Sequence, residues 1–212
     1  MYQMKVIVIS NPEQLPGEEK AVNELFKAGL SHFHIRKPKT STNGLRRYIE
    51  SIDQKFHQRV IIHSHHELSI AYSLRGIHLT EHHRQRHRWR NWMKNKYIKL
   101  RRPGIEMTAG YHTIGALKGE NPGYAYVFLS PVFASISKIG YKSSFNEVSL
   151  KEATATTSFR VVALGGVDEE NIHKAREMGF YGVALLGCVW KSPDPVQKFI
   201  RILELCKEKE IT

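Results

Sequence analysis

The chain has 212 residues, 41% apolar and 25% charged, with a net charge of +12. That balance is ordinary for a globular protein, and the length suits one domain with a sizeable core rather than two. No apolar run approaches the roughly 18 residues needed to cross a bilayer, which excludes a membrane-inserted protein.

The charge is not evenly spread. Nine of the Lys and Arg residues fall between His82 and Arg102, a segment with no Asp or Glu. One solvated basic helix describes this better than a basic protein, so a nucleic-acid partner is not favoured, although such a helix can bind polyanions. Met1 to Lys5 lacks a charged n-region, a long apolar h-region and a cleavage site, and the cytoplasm is the expected location. Cys188 and Cys206 have neither CxxC nor zinc-ligand spacing, which fits reduced, structural thiols.

In chain order, Lys5 to Ser10 (KVIVIS) predicts a buried strand, and Val22, Leu25 and Phe26 predict a helix ending before Gly29. His32 to Arg36 predicts a second strand with His32, His34 and Arg36 on one face and Phe33 and Ile35 on the other. Gly44 to His57 reads as one helix, Val60 to His63 as the third strand, His66 to Ser73 as a short helix and Gly76 to Thr80 as the fourth strand. Trp89, Trp92, Met93, Ile98 and Leu100 then fit an amphipathic helix in part, with the basic residues on its wet side and its apolar side covering the sheet. Ile105 to Tyr111 and Tyr124 to Leu129 predict strands five and six, separated by a helical segment at His112 to Lys118. A polar loop through Ser135 and Lys138 leads to a weak helix at Ser149 to Ala155.

The stretch Arg160 to Trp190 contains a full strand, helix and strand. Arg160 to Leu164 stops at Gly165-Gly166, and Asp168 is placed to cap a helix whose apolar stripe is Ile172, Ala175 and Met178, with Gly179 as its left-handed stop. Gly182 to Leu186 follows and ends at Gly187-Cys188, so two successive strands end in backbone that an anion can approach. Asp194 to Lys207 predicts the last helix. Eight strands alternating with helices predict a single α/β domain over residues 1–212, a TIM (β/α)8 barrel. An open doubly wound sheet would carry its glycine fingerprint after the first strand, where Ser10-Asn11-Pro12 has no glycine.

In such a barrel the active face is built from residues just past each strand. Those are Arg36 and Lys37, His63 and Ser64, Thr80 and Glu81, His112, Ser130 with Lys138, and the two glycine corners. Arg36 and Lys138 suit the anionic ends of a phosphorylated ligand, and His112 is the candidate general acid and base. The histidines at 63, 65, 66, 78, 82 and 83 offer no HxxxH on a well-defined helix and no partnering carboxylate at a known ligand offset, so no metal is expected of them.

Four blocks of the sequence, in order and in register with the strands, resemble the thiamine phosphate synthase and TenI (thiazole tautomerase) superfamily. They are HIRKP at 34–38, GIHL at 76–79, SPVFASISK at 130–138, and ALGGV with GVALLGCV near the end. The resemblance implies a TIM barrel in which Gly165, Gly166, Gly187 and Cys188 cradle a thiazole phosphate. It matches Arg36 to a diphosphate-binding arginine and makes Ser135 and Lys138 the Thr and Lys of the loop after strand six. His34, Lys37, His63 and Ser130 join these as substrate-contacting positions. His112 matches the histidine that in the TenI branch shuttles a proton while the thiazole carboxylate phosphate becomes aromatic.

The sequence departs from the synthase pattern of Q-x-R-x-K, Asn-Asp and a further Asp. Those positions read His34, Arg36, Pro38, then His63-Ser64, then His83. The implied protein is therefore a TenI-like isomerase without a cofactor, Mg²⁺ being expected only of a true synthase. A phosphorylated thiazole is its expected partner, and a homo-oligomer is compatible with the reading. The alternatives are thiamine phosphate synthase itself and a non-catalytic, polyanion-binding barrel.

Overall fold

A computed structural model describes residues 4–81, 84, 88–134 and 145–207. Eight strands, β1 (Lys5–Ile9), β2 (His32–Ile35), β3 (Val60–Ile62), β4 (Gly76–Leu79), β5 (Glu106–Tyr111), β6 (Tyr126–Leu129), β7 (Val161–Leu164) and β8 (Gly182–Leu185), form a closed barrel. Each pairs in parallel with its sequence neighbour, and β1 closes the ring on β8 with Val6 opposite Val183. Their apolar, β-branched runs follow from burial on both faces, the condition of a sheet wrapped by helices. Ile7, Ile9, Ile61, Tyr126, Phe128, Val162 and Ala184 pack inside the ring. Val6, Val8, Phe33, Ile35, Ile62, Ile77 and Val183 pack outward against the helices. The fold is the predicted TIM barrel.

The helices bounded within the described residues are α1 (Glu18–Lys27), α2 (Thr42–Glu50), α3 (Leu68–Ala71), α4 (Arg88–Arg101), α5 (Glu147–Thr156), α6 (Ile172–Glu177), α7 (Gly187–Trp190) and α8 (Pro195–Lys207), with 3₁₀ turns at Gln54–Arg59, Ile114–Leu117 and Glu169–Asn171. The predicted cap at Asp168 forms a full capping box. Its carboxylate accepts from the Glu169 amide at 2.6 Å, and the Asn171 side chain accepts from the Asp168 amide at 3.0 Å. Ile172, Ala175 and Met178 are buried, and Gly179 ends the turn at φ 75°.

Three elements differ from their predictions for physical reasons. The single helix expected over 44–57 is cut, because Asn23 of α1 donates to the Ser51 carbonyl and accepts from the Asp53 amide, both at 2.9 Å. Those two peptide groups are lost to the helical ladder, and the chain resumes as the 3₁₀ turn that buries Phe56. The segment after β5 is likewise a 3₁₀ turn rather than a helix. Third, α4 does not cover the barrel with its aromatics. Trp89 is 70% exposed, Leu100 78%, and Trp92, Met93 and Tyr97 also face water; Ile98 is its buried apolar residue. Periodicity locates a stripe but does not say which side of the helix meets the core, and here the Arg102 guanidinium anchors the helix end through the carbonyls of Ser69 and Leu74.

The seam of the ring is tied by a side chain. Trp190, buried at the end of α7, donates its indole N–H to the Ile9 carbonyl at 2.6 Å and so links the segment after β8 to β1.

Candidate active site

All eight strands run the same way, so the segments after their carboxyl ends share one rim. Leu164 of β7 lies opposite Ala184 of β8. The corners at Gly165-Gly166 and Gly187-Cys188 are therefore neighbours on that rim. Gly165 and Gly166 have φ of 90° and 68°, a region that disfavours any side chain. A Cβ on Gly166 would sit 2.6 Å from the Phe133 carbonyl oxygen and 2.5 Å from that of Ala134. The loop after β6 is thus laid directly on this corner. The Phe133 amide donates to the Gly165 carbonyl at 3.0 Å, and the Asn171 side chain donates to the Gly166 carbonyl at 2.7 Å. Gly166→Ala is expected to destabilise the fold by about 2–4 kcal/mol, from a left-handed non-glycine residue together with the overpacked contact. Urea denaturation checks this, and a loss below about 0.5 kcal/mol would mean that the loop yields freely.

His112 follows β5 on the same rim, and its side chain is exposed. Its Nδ1 lies 3.0 Å from the Ser130 carbonyl oxygen at the end of β6. A carbonyl only accepts, so Nδ1 carries the proton and Nε2 of the neutral ring presents its lone pair. The Ser130 hydroxyl in turn lies 3.4 Å from where a Gly165 Cβ would stand. His112, Ser130 and the first glycine corner thus follow one another around the rim. Cys188 is a poor nucleophile, since burial pushes its thiol to about 12, with Asp168 adding to the effect.

Not every expected rim residue stands on the rim. Arg36 is exposed there, its amide donating to the Ser10 hydroxyl at 2.8 Å. Lys37 takes the other direction. It turns outward into a buried ion pair with Glu18 of α1, donates to the Glu13 carbonyl at 2.7 Å and lies over the Tyr48 ring, so its ammonium is engaged within the fold. The alternation of β2 accounts for this, since consecutive side chains take opposite faces and Arg36 already occupies the inner one. His34, implied by the resemblance as a substrate contact, lies below the rim. It is fully buried inside the barrel, with Nδ1 2.9 Å from Nε2 of His63 and Nε2 2.6 Å from the Tyr126 hydroxyl. His63, just past β3, is 7% exposed and turns toward the same interior. Ser135 and Lys138 lie outside the described residues.

Sequence reasoning grouped the histidines by proximity along the chain, and the structure groups them otherwise. His65 belongs to the outer layer, with Nδ1 2.9 Å from the Thr42 hydroxyl and Nε2 3.1 Å from the Thr40 carbonyl oxygen. His34, His63 and His78 converge inside the ring. The available signal was His78 alternating with apolar residues in the short buried strand GIHL, as His34 does in HFHI.

The magnesium ion implied by the synthase resemblance does not fit these residues. Magnesium takes oxygen ligands in octahedral array. At the rim positions that would supply carboxylates stand His63 and Ser64, with Glu81 as the acid following β4.

Comparison with known proteins agrees with this architecture. Residues 6–189 match the model of a family described as thiamine monophosphate synthase. Curated relatives include a thiamine-phosphate synthase of Desulfitobacterium hafniense, 24% identical over 183 residues, covering 82% of this chain and 83% of that one. Another, from Clostridium novyi, is 23% identical over 195 residues, covering 90% and 92%. Among solved structures, the thiamine phosphate pyrophosphorylase of Bacteroides thetaiotaomicron superposes with a TM-score of 0.77 at 27% identity, covering 97% of this chain and all of that one. With a matching model over most of its length, a closed eight-stranded barrel and paired glycine corners on its rim, the chain belongs to the thiamine monophosphate synthase family.

Proposed function

We propose that this protein is a TenI-like isomerase. It binds a thiazole phosphate on the rim and converts the non-aromatic tautomer of thiazole carboxylate phosphate into the aromatic ring, with His112 as acid and base. The observation that carries this reading is the hydrogen bond from His112 Nδ1 to the Ser130 carbonyl, which fixes the tautomer with Nε2 as the proton acceptor. Nε2 takes a proton from one carbon of the substrate, and the same proton is returned at another, so the step needs no net acid or base. The phosphate anchors on the glycine corners after β7 and β8. With the Gly165 and Gly166 carbonyls engaged inside the protein, an anion there meets the N–H side of the backbone. Arg36, exposed on the inner face past β2, supplies a fork of donors to the carboxylate.

A second reading, thiamine phosphate synthase, has the names of the curated relatives in its favour. One assay separates the two. Purified protein is incubated with the tautomer alone, and separately with thiazole phosphate, pyrimidine diphosphate and Mg²⁺, and the products are identified by mass and NMR. Isomerisation in the first tube supports the lead. Thiamine phosphate in the second, with no isomerisation in the first, replaces it with the synthase.

A further inference from the structure

Buried imidazoles gather inside the barrel where β2, β3 and β4 meet. There His34, His63 and His78 are 0%, 7% and 4% exposed, and the proposed proton shuttle uses none of them. Their placement follows from register. Ile62 pairs with Ile77, so the next residues along, His63 and His78, are side by side, and His34 stands one strand over, opposite Ile61. The His63 and His78 rings stack with centroids 4.1 Å apart, and His34 Nδ1 reaches His63 Nε2 at 2.9 Å. One nitrogen from each of the three rings lies within 4.8 Å of one from each of the others.

We propose that His34, His63 and His78 form a binding site for a divalent transition-metal ion of the zinc type, held by three imidazole nitrogens, with its remaining coordination facing the rim. Two features carry the argument. The donors are all nitrogen, which suits Zn²⁺ and Co²⁺ and rejects Mg²⁺. The outlying nitrogens of two rings are already oriented, Nε2 of His34 by the Tyr126 hydroxyl at 2.6 Å and Nδ1 of His78 by the Thr108 hydroxyl at 2.9 Å. That is the support metal-binding histidines use to fix ring direction and tautomer.

Tetrahedral ligation at about 2.0–2.1 Å brings the three nitrogens to roughly 3.4 Å from one another. From a spread of up to 4.8 Å this is a movement of about 1 Å, accompanied by a turn of one stacked ring about its soft terminal torsion. The ion replaces the His34 to His63 hydrogen bond. Where His34 is the donor, its proton moves from Nδ1 to Nε2, and Tyr126 becomes the acceptor, so no proton need be lost.

The test uses the full chain stripped by chelator and titrated with Zn²⁺, and with Co²⁺ for its visible spectrum. The expected result is one ion per chain, an intense tetrahedral Co²⁺ band and no displacement by millimolar Mg²⁺. Affinity should fall by on the order of 100-fold or more in His63→Gln and in His78→Gln, each first shown to melt cooperatively. His65→Gln and His112→Gln should bind as the parent does. The proposal is overturned if the parent binds no more tightly than the triad variants, or if His65→Gln abolishes binding. Should one triad variant fail to fold, the other decides. Because His112→Gln is expected to keep the ion, this experiment can fail without touching the proposed isomerisation, and the reverse.

Discussion

Replacing His112 with glutamine is expected to lower the isomerisation rate by about 10²- to 10⁴-fold, the usual contribution of a positioned proton-transfer group. The side chain is exposed and its one described bond is to the Ser130 carbonyl, so its removal leaves no cavity, and stability should stay within about 0.5 kcal/mol of the parent. Substrate binding should also survive, since the proposed phosphate anchor is backbone two and three strands away. The signature is a fall in kcat with little change in KM. His112→Asn is the sharper variant. Its amide can still donate to Ser130 but cannot cycle a proton, so a rate as low as that of His112→Gln marks proton transfer, whereas recovery by asparagine would mark mere positioning. A loss of less than threefold in both would remove His112 from the chemistry.

The second large effect is expected from Glu18→Gln. Lys37 and Glu18 are 4% and 1% exposed, one past β2 and the other opening α1, and their side chains pair directly. The other Glu18 oxygen accepts from the Asn11 amide at 2.8 Å. Burial raises the Glu18 carboxyl above its ordinary range, and the contact with Lys37 opposes that rise. Such a pair adds little net stability while intact, but removing one partner strands the other charge in a dry slot at a cost of about 3–5 kcal/mol. For a chain of this size the melting temperature should fall by on the order of 10 °C, measured by calorimetry. The double change Glu18→Leu with Lys37→Met removes both charges at similar volume and should recover most of the loss. A single variant that melts with the parent would mean that Lys37 swings to water.

Much of the molecule was legible because its periodicities are local. The β-branched runs, the Asp168 cap and the left-handed Gly179 each declare themselves within a few residues, and eight alternations leave few ways to fold. The position of His112 was legible too, since a residue just past a strand stands at the rim in any barrel. What was not legible depends on partners distant in sequence. Lys37 and Arg36 are adjacent, and only the phase of β2 against α1 decides which one meets water. Asn23 ends a helix 28 residues away. The histidine triad is assembled by register between strands, whereas sequence proximity pointed to His65, which packs elsewhere.

The indole that latches Ile9 has a consequence for how folding is observed. The chain has three tryptophans, and two of them, Trp89 and Trp92, are bathed in solvent on α4. Their fluorescence is open to an aqueous quencher such as iodide, while Trp190 is shielded. Under quencher the residual emission comes chiefly from the residue at the seam, so the native protein carries its own optical gauge of whether first and last strands have met.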